Sequence, residues 1–271
     1  MANIIPSNAS VAQDPEEGSQ GRMSFFEHLS ELRKRIINSF IAIAIGAAGG
    51  MFVSKKFIHI ITLPMINALR ANGLDPHLYI RSPAGYVSLW INVGLAIGVA
   101  VAMPFVLYQV WLFIAPGLYK HERSAVTGFI FFGSLLFACG VAFSYFIMLP
   151  QMLNFLVHFT NDGSIAPLID VDEYFSLILI CMVGIGAIFE MPVIIYILSL
   201  FGLVTPKFLL KNFRYAMLII TVAAAIITPT PDATTMLIFM IPMVALYFVS
   251  VAVSYFVVRK KRAKQAAEAA V

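Results

Sequence analysis

Apolar residues in this chain gather into runs far longer than a soluble core helix needs, and short polar breaks separate them. Six runs stand out, at roughly 36–54, 88–110, 124–150, 173–200, 213–228 and 234–258. A helix rises about 1.5 Å per residue, so about 20 apolar residues cross a hydrocarbon core of about 30 Å. Each run is predicted as a transmembrane helix, because an isolated strand leaves its backbone groups unsatisfied in lipid. The fifth run rises only about 24 Å, which predicts local thinning of the bilayer around it.

The polar positions carry a second pattern. Ahead of the first run, Ser24 and Glu27 form an S-x-x-E capping box that predicts a helix start. Phe25, Leu29, Leu32 and Ile36 then recur at helical spacing as one apolar stripe, with Glu27 and Glu31 on another face and Arg35 four residues after Glu31. Residues 1–22 are polar and are expected to be disordered. Residues 23–262 read as a single membrane domain, with 263–271 as a tail whose KQAAEAAV end resembles a frayed helix. No internal repeat is visible.

Composition agrees with the pattern. With 60% hydrophobic residues, 12% charged residues and a mean hydropathy of +0.88, the chain cannot coat a soluble globule of 271 residues. The net charge of +4 does not point to nucleic acid, because the basic residues flank apolar runs instead of forming one patch. Fourteen of the 18 Lys and Arg fall on one side of the predicted bundle: Arg22, Arg33, Lys34, Arg35, Lys120, Arg123, Lys207, Lys211, Arg214 and the five between Arg259 and Lys264. The other side has Lys55, Lys56, Arg70 and Arg81. The positive-inside rule therefore predicts that both termini are cytoplasmic. The first 20 residues carry Asp14, Glu16 and Glu17 with no basic start, unlike a cleaved signal.

Sites of enzyme chemistry are not expected. The sequence has no phosphate-loop or zinc-protease motif and no nucleophile elbow, and His28, His59, His77, His121 and His158 lack ligand spacing. No metal or cofactor is implied. Cys139 and Cys181 lie inside apolar runs and read as small core residues. Gly46/Gly50 and Gly94/Gly98 permit close helix packing but are common in membrane helices.

Three stretches carry candidate chemistry. FFEHLSELRKR, residues 25–35, fits an interfacial amphipathic lead-in with topology charges, and it equally supplies carboxylates beside guanidinium groups. LYQVWLFIAPGLYKHERS, residues 107–124, fits a belt of interfacial aromatics with a turn at Pro116 and Gly117, or a built surface. In GIGAIFEMP, residues 184–192, Glu190 lies about 25 Å by helix rise from Glu173 and from Lys207, near the bilayer centre. A carboxylate there costs several kcal/mol unless protonated, paired or hydrated, so a functional or water-lined site is the default expectation. A protonated Glu bonded to a neighbouring helix is the structural alternative.

HLSELRKR before the first span, YQVWLFIAPGLYKHER after the second, FEMP in the fourth and TPTPD between the fifth and sixth together resemble the TatC family, core subunits of the bacterial twin-arginine protein translocase. The resemblance runs from about Ser24 to Arg262. It implies an all-α polytopic membrane protein of the bacterial inner membrane, with six transmembrane helices in a glove-like concave bundle. It implies a receptor and scaffold that binds signal peptides with paired arginines at the cytoplasmic face. Single-helix TatA or TatB subunits, or both, would join it, with the chain itself homo-oligomeric in the receptor complex, to export folded proteins using the proton motive force.

The resemblance assigns signal binding to Glu31 and Glu122, with Glu27 auxiliary. Arg33, Arg35, Lys120 and His121 would orient or neutralise the acids while the site is empty. Phe113, Pro104 and Tyr108 fall at positions tied to signal binding or its supporting wall, with Pro64 and Pro104 structural. Carboxylates accept guanidinium bidentately, which lysine cannot reproduce. Glu190 matches an intramembrane glutamate facing a cavity open to water and lipid. Thr228, Thr230, Asp232, Thr234, Thr235 and Met236 fall in the region implied for the partner helices. A proton-coupled secondary transporter with Glu190 as its proton site is the alternative, but matched broken helices in two repeats are not seen.

Overall fold

The computed structural model describes residues 25–115, 126–160, 168–228 and 232–268. Ser24, Lys120, His121, Glu122, Arg123 and Thr230, together with the predicted disordered segment 1–22, lie outside these residues. Among the described residues the chain is helical, with α1 Phe25–Ala71, α2 Pro83–Ile114, α3 Val126–Phe143, α4 Leu149–Thr160, α5 Val171–Phe189, α6 Met191–Leu200, α7 Pro206–Lys211, α8 Phe213–Ile227 and α9 Ala233–Glu268. A π-helical turn, Ser144–Met148, joins α3 to α4. Among the described residues five spans are long and apolar enough to cross a membrane, and α8 is a sixth, shorter apolar helix. At 15 residues α8 rises about 22 Å, as the short fifth run predicted.

The predicted ends need correction. The first helix does not stop at residue 54 but runs on to Ala71, and the third continues to Thr160. Lys55 and Lys56 looked like the polar end of a span. They are instead exposed side chains within the helix, whose apolar face continues through Ile61, Met65 and Ala68 into the main core. The connection before α2 is therefore short, from residue 72 to 82. At the other extreme, α9 carries helix to Glu268, through most of the predicted tail.

Small polar side chains cap the starts of α2, α5, α7 and α9. Ser82 accepts from Gly85 N–H at 3.1 Å, Asp170 from Asp172 N–H at 2.8 Å, Thr205 from Phe208 N–H at 3.2 Å and Asp232 from Thr235 N–H at 2.7 Å. Each satisfies an N–H that the first helical turn leaves without a partner. The segments before α2 and α5 also pair. Tyr79 N–H donates to Ile169 O at 2.9 Å and Val171 N–H donates to Tyr79 O at 2.9 Å.

At two prolines another group takes over the freed carbonyl or the turn is reset. Pro64 removes the N–H that would have reached Ile60 O. The Tyr145 hydroxyl donates to that carbonyl at 2.8 Å, and Tyr174 donates to Ile61 O at 2.8 Å one residue on. Tyr145 reaches α1 from the π-helical turn, which ends two residues before Pro150 and widens the ladder ahead of a residue that cannot donate. Pro104 lies within α2, where it is exposed.

α5 is the centre of the bundle, with Phe175, Ile178 and Cys181 fully buried among Met148, Leu149, Met152, Phe239 and Met243. α1 and α2 pack antiparallel along much of their length. The glycine pairs noted in the sequence meet there: a Cβ on Gly98 would lie 2.4 Å from Ala47 N, and one on Gly50 would lie 2.6 Å from Gly94 O. Backbone approaches backbone, which only glycine permits.

Gly98→Ala is therefore expected to lower stability by about 1–3 kcal/mol, since the obstructing atoms are backbone and cannot rotate away. Gly49→Ala meets nothing within 4 Å and should leave stability unchanged or slightly raised. Thermal unfolding of the two variants in detergent, compared with the parent, checks the contrast.

Candidate functional site

The first turns of α1 carry a polar stripe. His28, Glu31 and Arg35 recur at spacings of three and four, so they share one face, and this face meets the end of α2. On α2, Gln109 and Phe113 are four apart and face back. The rings of His28 and Phe113 stack at 4.4 Å between centroids and 19° between planes. Arg35 donates from Nη2 to Glu31 Oε1 at 3.0 Å and from Nη1 to Gln109 Oε1 at 3.5 Å.

Leu29 and Ile36 point outward and Leu32 is half-buried, whereas Glu31 and Arg35 pack toward a neighbouring helix. The Glu31 and Arg35 side chains retain only 15% and 22% of their exposure. Among the described residues, Glu31 Oε2 and Arg35 Nε have no hydrogen-bond partner. Glu27 and Arg33 remain exposed on the same helix. Gln109, only 4% exposed, was not singled out in the sequence; the signal available was a lone amide near the end of an otherwise apolar run.

The opposite face of α2 supports the site. Leu107 and Trp111, also four apart, form a second small core with Phe129 of α3 and Val193 and Ile197 of α6. Trp111 and Phe129 lie 5.2 Å apart between ring centroids. α2 is thereby held on one side by apolar packing while its other side presents Gln109 and Phe113 to α1.

Glu190 stands at the junction of α5 and α6. Pro192 cannot donate to Ile188 O, so the ladder breaks there, and the Glu190 carbonyl restarts it by accepting from Val193 and Ile194 N–H at 3.0 Å each. The side chain turns inward and the residue is 5% exposed. Both carboxylate oxygens are buried with no hydrogen-bond partner among the described residues. A Cβ on Gly133 of α3 would lie 3.1 Å from Glu190 Oε2 and 2.7 Å from Leu107 Cδ1. One carboxylate oxygen thus lies toward Gly133 of α3.

Residues implied for partner helices divide by burial. Thr234 is exposed, but Thr228 and Thr235 are buried, and Met236 packs against the main core. Thr228 donates to Ala224 O at 2.8 Å, and Asp232 caps α9. Thr228 and Asp232 thus serve the α8 to α9 turn itself, whereas the buried Thr235 hydroxyl has no hydrogen-bond partner among the described residues. At the end of the bundle away from Glu31, Arg81 pairs with Asp170 at 3.4 Å and Glu173 at 3.5 Å, closing the cleft between the starts of α2 and α5. Among the described residues no group of His, Cys, Asp and Glu is placed to hold a metal ion.

The model of the family described as Sec-independent protein translocase protein (TatC) matches residues 27–242. The chain is 42% identical over 243 residues to the Sec-independent protein translocase protein TatC of Koribacter versatilis, covering 90% of this chain and 89% of that one. It is 36% identical over 246 residues to TatC of Aquifex aeolicus, covering 90% of this chain and 100% of the relative. A crystal structure described as the twin arginine translocase receptor TatC matches the fold with a TM-score of 0.74 at 35% identity, over 85% of this chain and 99% of that one. Matched residues, identity and fold agree that this multi-pass membrane protein belongs to the TatC family of Sec-independent protein translocase components.

Proposed function

We propose that this chain is the signal-peptide receptor and scaffold of a twin-arginine translocase in a bacterial inner membrane, with its basic end cytoplasmic. The observation that carries the reading is the acid at the start of α1. Glu31 sits in a largely desolvated notch between α1 and α2 with one carboxylate oxygen engaged by a guanidinium and the other without a partner among the described residues. A carboxylate held this way is shaped for arginine: charge-assisted bonds strengthen as water is excluded, and the planar fork of a guanidinium fits two oxygens where an ammonium fits one.

Glu122 is the second acid of the proposed site by its place in the YKHER motif, with Lys120 beside it; both lie outside the described residues. Phe113 gives the apolar floor and Glu27 and Arg33 the charged rim. Single-helix TatA or TatB subunits are the proposed partners of the α8 to α9 region, with the exposed Thr234 as the outward contact. Several copies of the chain assemble in the receptor complex, and the proton motive force drives transport. Glu190, in the middle of the membrane, acts after docking, when the signal hairpin enters between the helices.

Recognition is tested by substitution. Glu31→Gln and Glu122→Gln should each abolish binding of twin-arginine precursors to purified receptor, as should Lys-Lys in place of the arginine pair, and the protein should still insert. Normal binding by the double variant in a pull-down would remove both acids from the site.

Orientation is tested by labelling. Cysteines at Glu173 and Ala233 should react with an impermeant reagent added to the periplasmic side, whereas cysteines at Arg33 and Lys207 should not. The reverse pattern overturns the proposed topology.

For Glu190, the cost of burying an unpartnered carboxyl vanishes in Glu190→Leu, so thermal stability in detergent should hold or rise. Precursor binding should persist while transport falls. Full transport in Glu190→Leu would exclude a functional role. Retained transport in Glu190→Gln would identify a polar role, and lost transport one that needs an ionisable group.

A further inference from the structure

Arg35 presents to Glu31 the same chemical group that a twin-arginine signal would bring. The contact is incomplete in a specific way. One bond joins Nη2 to Oε1 at 3.0 Å, whereas Nη1 is turned aside to Gln109 Oε1 at 3.5 Å. Nε of the guanidinium and Oε2 of the carboxylate are both buried without a hydrogen-bond partner among the described residues. The two residues are four apart on one helix, so Arg35 reaches back along its own axis and approaches the carboxylate through a single N–H. A paired fork, with two parallel N–H groups on two oxygens, is the stronger arrangement and is open to a guanidinium that arrives on another chain.

We propose that Arg35 is a specificity-determining residue of the docking site: an internal arginine that holds Glu31 until a signal arginine displaces it, with Gln109 receiving the displaced guanidinium. This rests on the reading of Glu31 as the docking acid. In the empty receptor Arg35 spares the membrane-proximal notch an uncompensated buried carboxylate. On binding, one guanidinium replaces another at Glu31, and the Gln109 carbonyl oxygen accepts from the displaced one. Arg35 needs only a small side-chain movement, because one of its nitrogens already faces Gln109, which α2 holds almost fully buried.

The exchange also explains how arginine is selected over lysine. A free carboxylate would attract either cation. A carboxylate already held by a guanidinium yields only to a ligand that makes more bonds than Arg35 does, and the ammonium of lysine offers a point charge without the planar fork. Arg35 thus sets the threshold that a lysine fails to pass.

The test is equilibrium binding of fluorescent synthetic signal peptides, Arg-Arg and Lys-Lys, to the purified full-length chain in lipid nanodiscs. Arg35→Met, which removes the charge and keeps the stem, should bind the Arg-Arg peptide about tenfold tighter and lose a comparable factor of Arg-Arg over Lys-Lys selectivity. Weaker or unchanged Arg-Arg binding by Arg35→Met would overturn the exchange. Two substitutions at Gln109 decide the matter should Arg35→Met fail to fold. Gln109→Glu should draw Arg35 away from Glu31 and tighten Arg-Arg binding, whereas Gln109→Leu should deprive Arg35 of its second position and weaken it. A merely structural Gln109 would move both in the same direction, and that result overturns the proposal. Glu31→Gln in the same assay separates the two levels. If it binds normally, the docking site itself is misassigned; if it loses binding while the Arg35 and Gln109 variants go against expectation, only the exchange fails.

Discussion

The closest constraint in this molecule is the seam between α1 and α2. Lipid chains are as apolar as leucine, so burial alone does not draw two transmembrane helices together; close packing and polar contacts must do so. Gly46, Ala47 and Gly50 interlock with Gly94 and Gly98 at distances that admit no added carbon. Everything at the candidate site inherits that spacing. Only because the backbones touch here do the side chains of Arg35 and His28, about three and five turns away, reach Gln109 and Phe113 across the gap.

The rest of the bundle follows a rule set by the same solvent. Within lipid each backbone carbonyl freed by a proline needs a protein donor or a rearranged turn. Pro64 is answered by Tyr145, Pro150 follows a π-helical turn, and Pro192 breaks the ladder at Glu190. The last case differs in outcome. The backbone is satisfied by a restarted helix, but the side chain placed at the break has no partner among the described residues, which makes it the polar group the membrane would most readily expel unless function retains it.

Much of this was legible in the residues and some was not, for identifiable reasons. Hydropathy located all six spans because length and polarity are local properties. It misjudged where α1 and the third span end, since Lys55 and Lys56 can lie on an exposed face within a helix and Phe25–Ala71 exceeds any bilayer thickness. The Glu31/Arg35 spacing was visible, but its inward direction was not, because periodicity shows that two residues share a face without showing what that face meets. Gln109 was missed for the same reason: its value comes from Arg35, 74 positions away in sequence. The glycine pairs were readable as permissive and became informative only once they were found opposite each other. Thr228 and Thr235 fall in the region the resemblance implies for partner helices, and they are buried in this chain.

Fold and proposed mechanism meet at α2, whose one face packs Leu107 and Trp111 against α3 and α6 and whose other presents Gln109 and Phe113 to the acid of α1. Docking chemistry and the intramembrane carboxyl are thus connected through one rigid helix, with Leu107 beside Gly133 and Glu190. The most direct measurement is site-specific photo-crosslinking in native membranes from Ser30, an exposed position next to Glu31, with Tyr86 at the far end of α2 as the comparison. The account predicts that Ser30 captures a precursor with an intact arginine pair, that capture is lost when the pair is Lys-Lys, and that Tyr86 captures neither at the docking stage. Equal capture of both precursors at Ser30, or capture at Tyr86 in preference to Ser30, would contradict it.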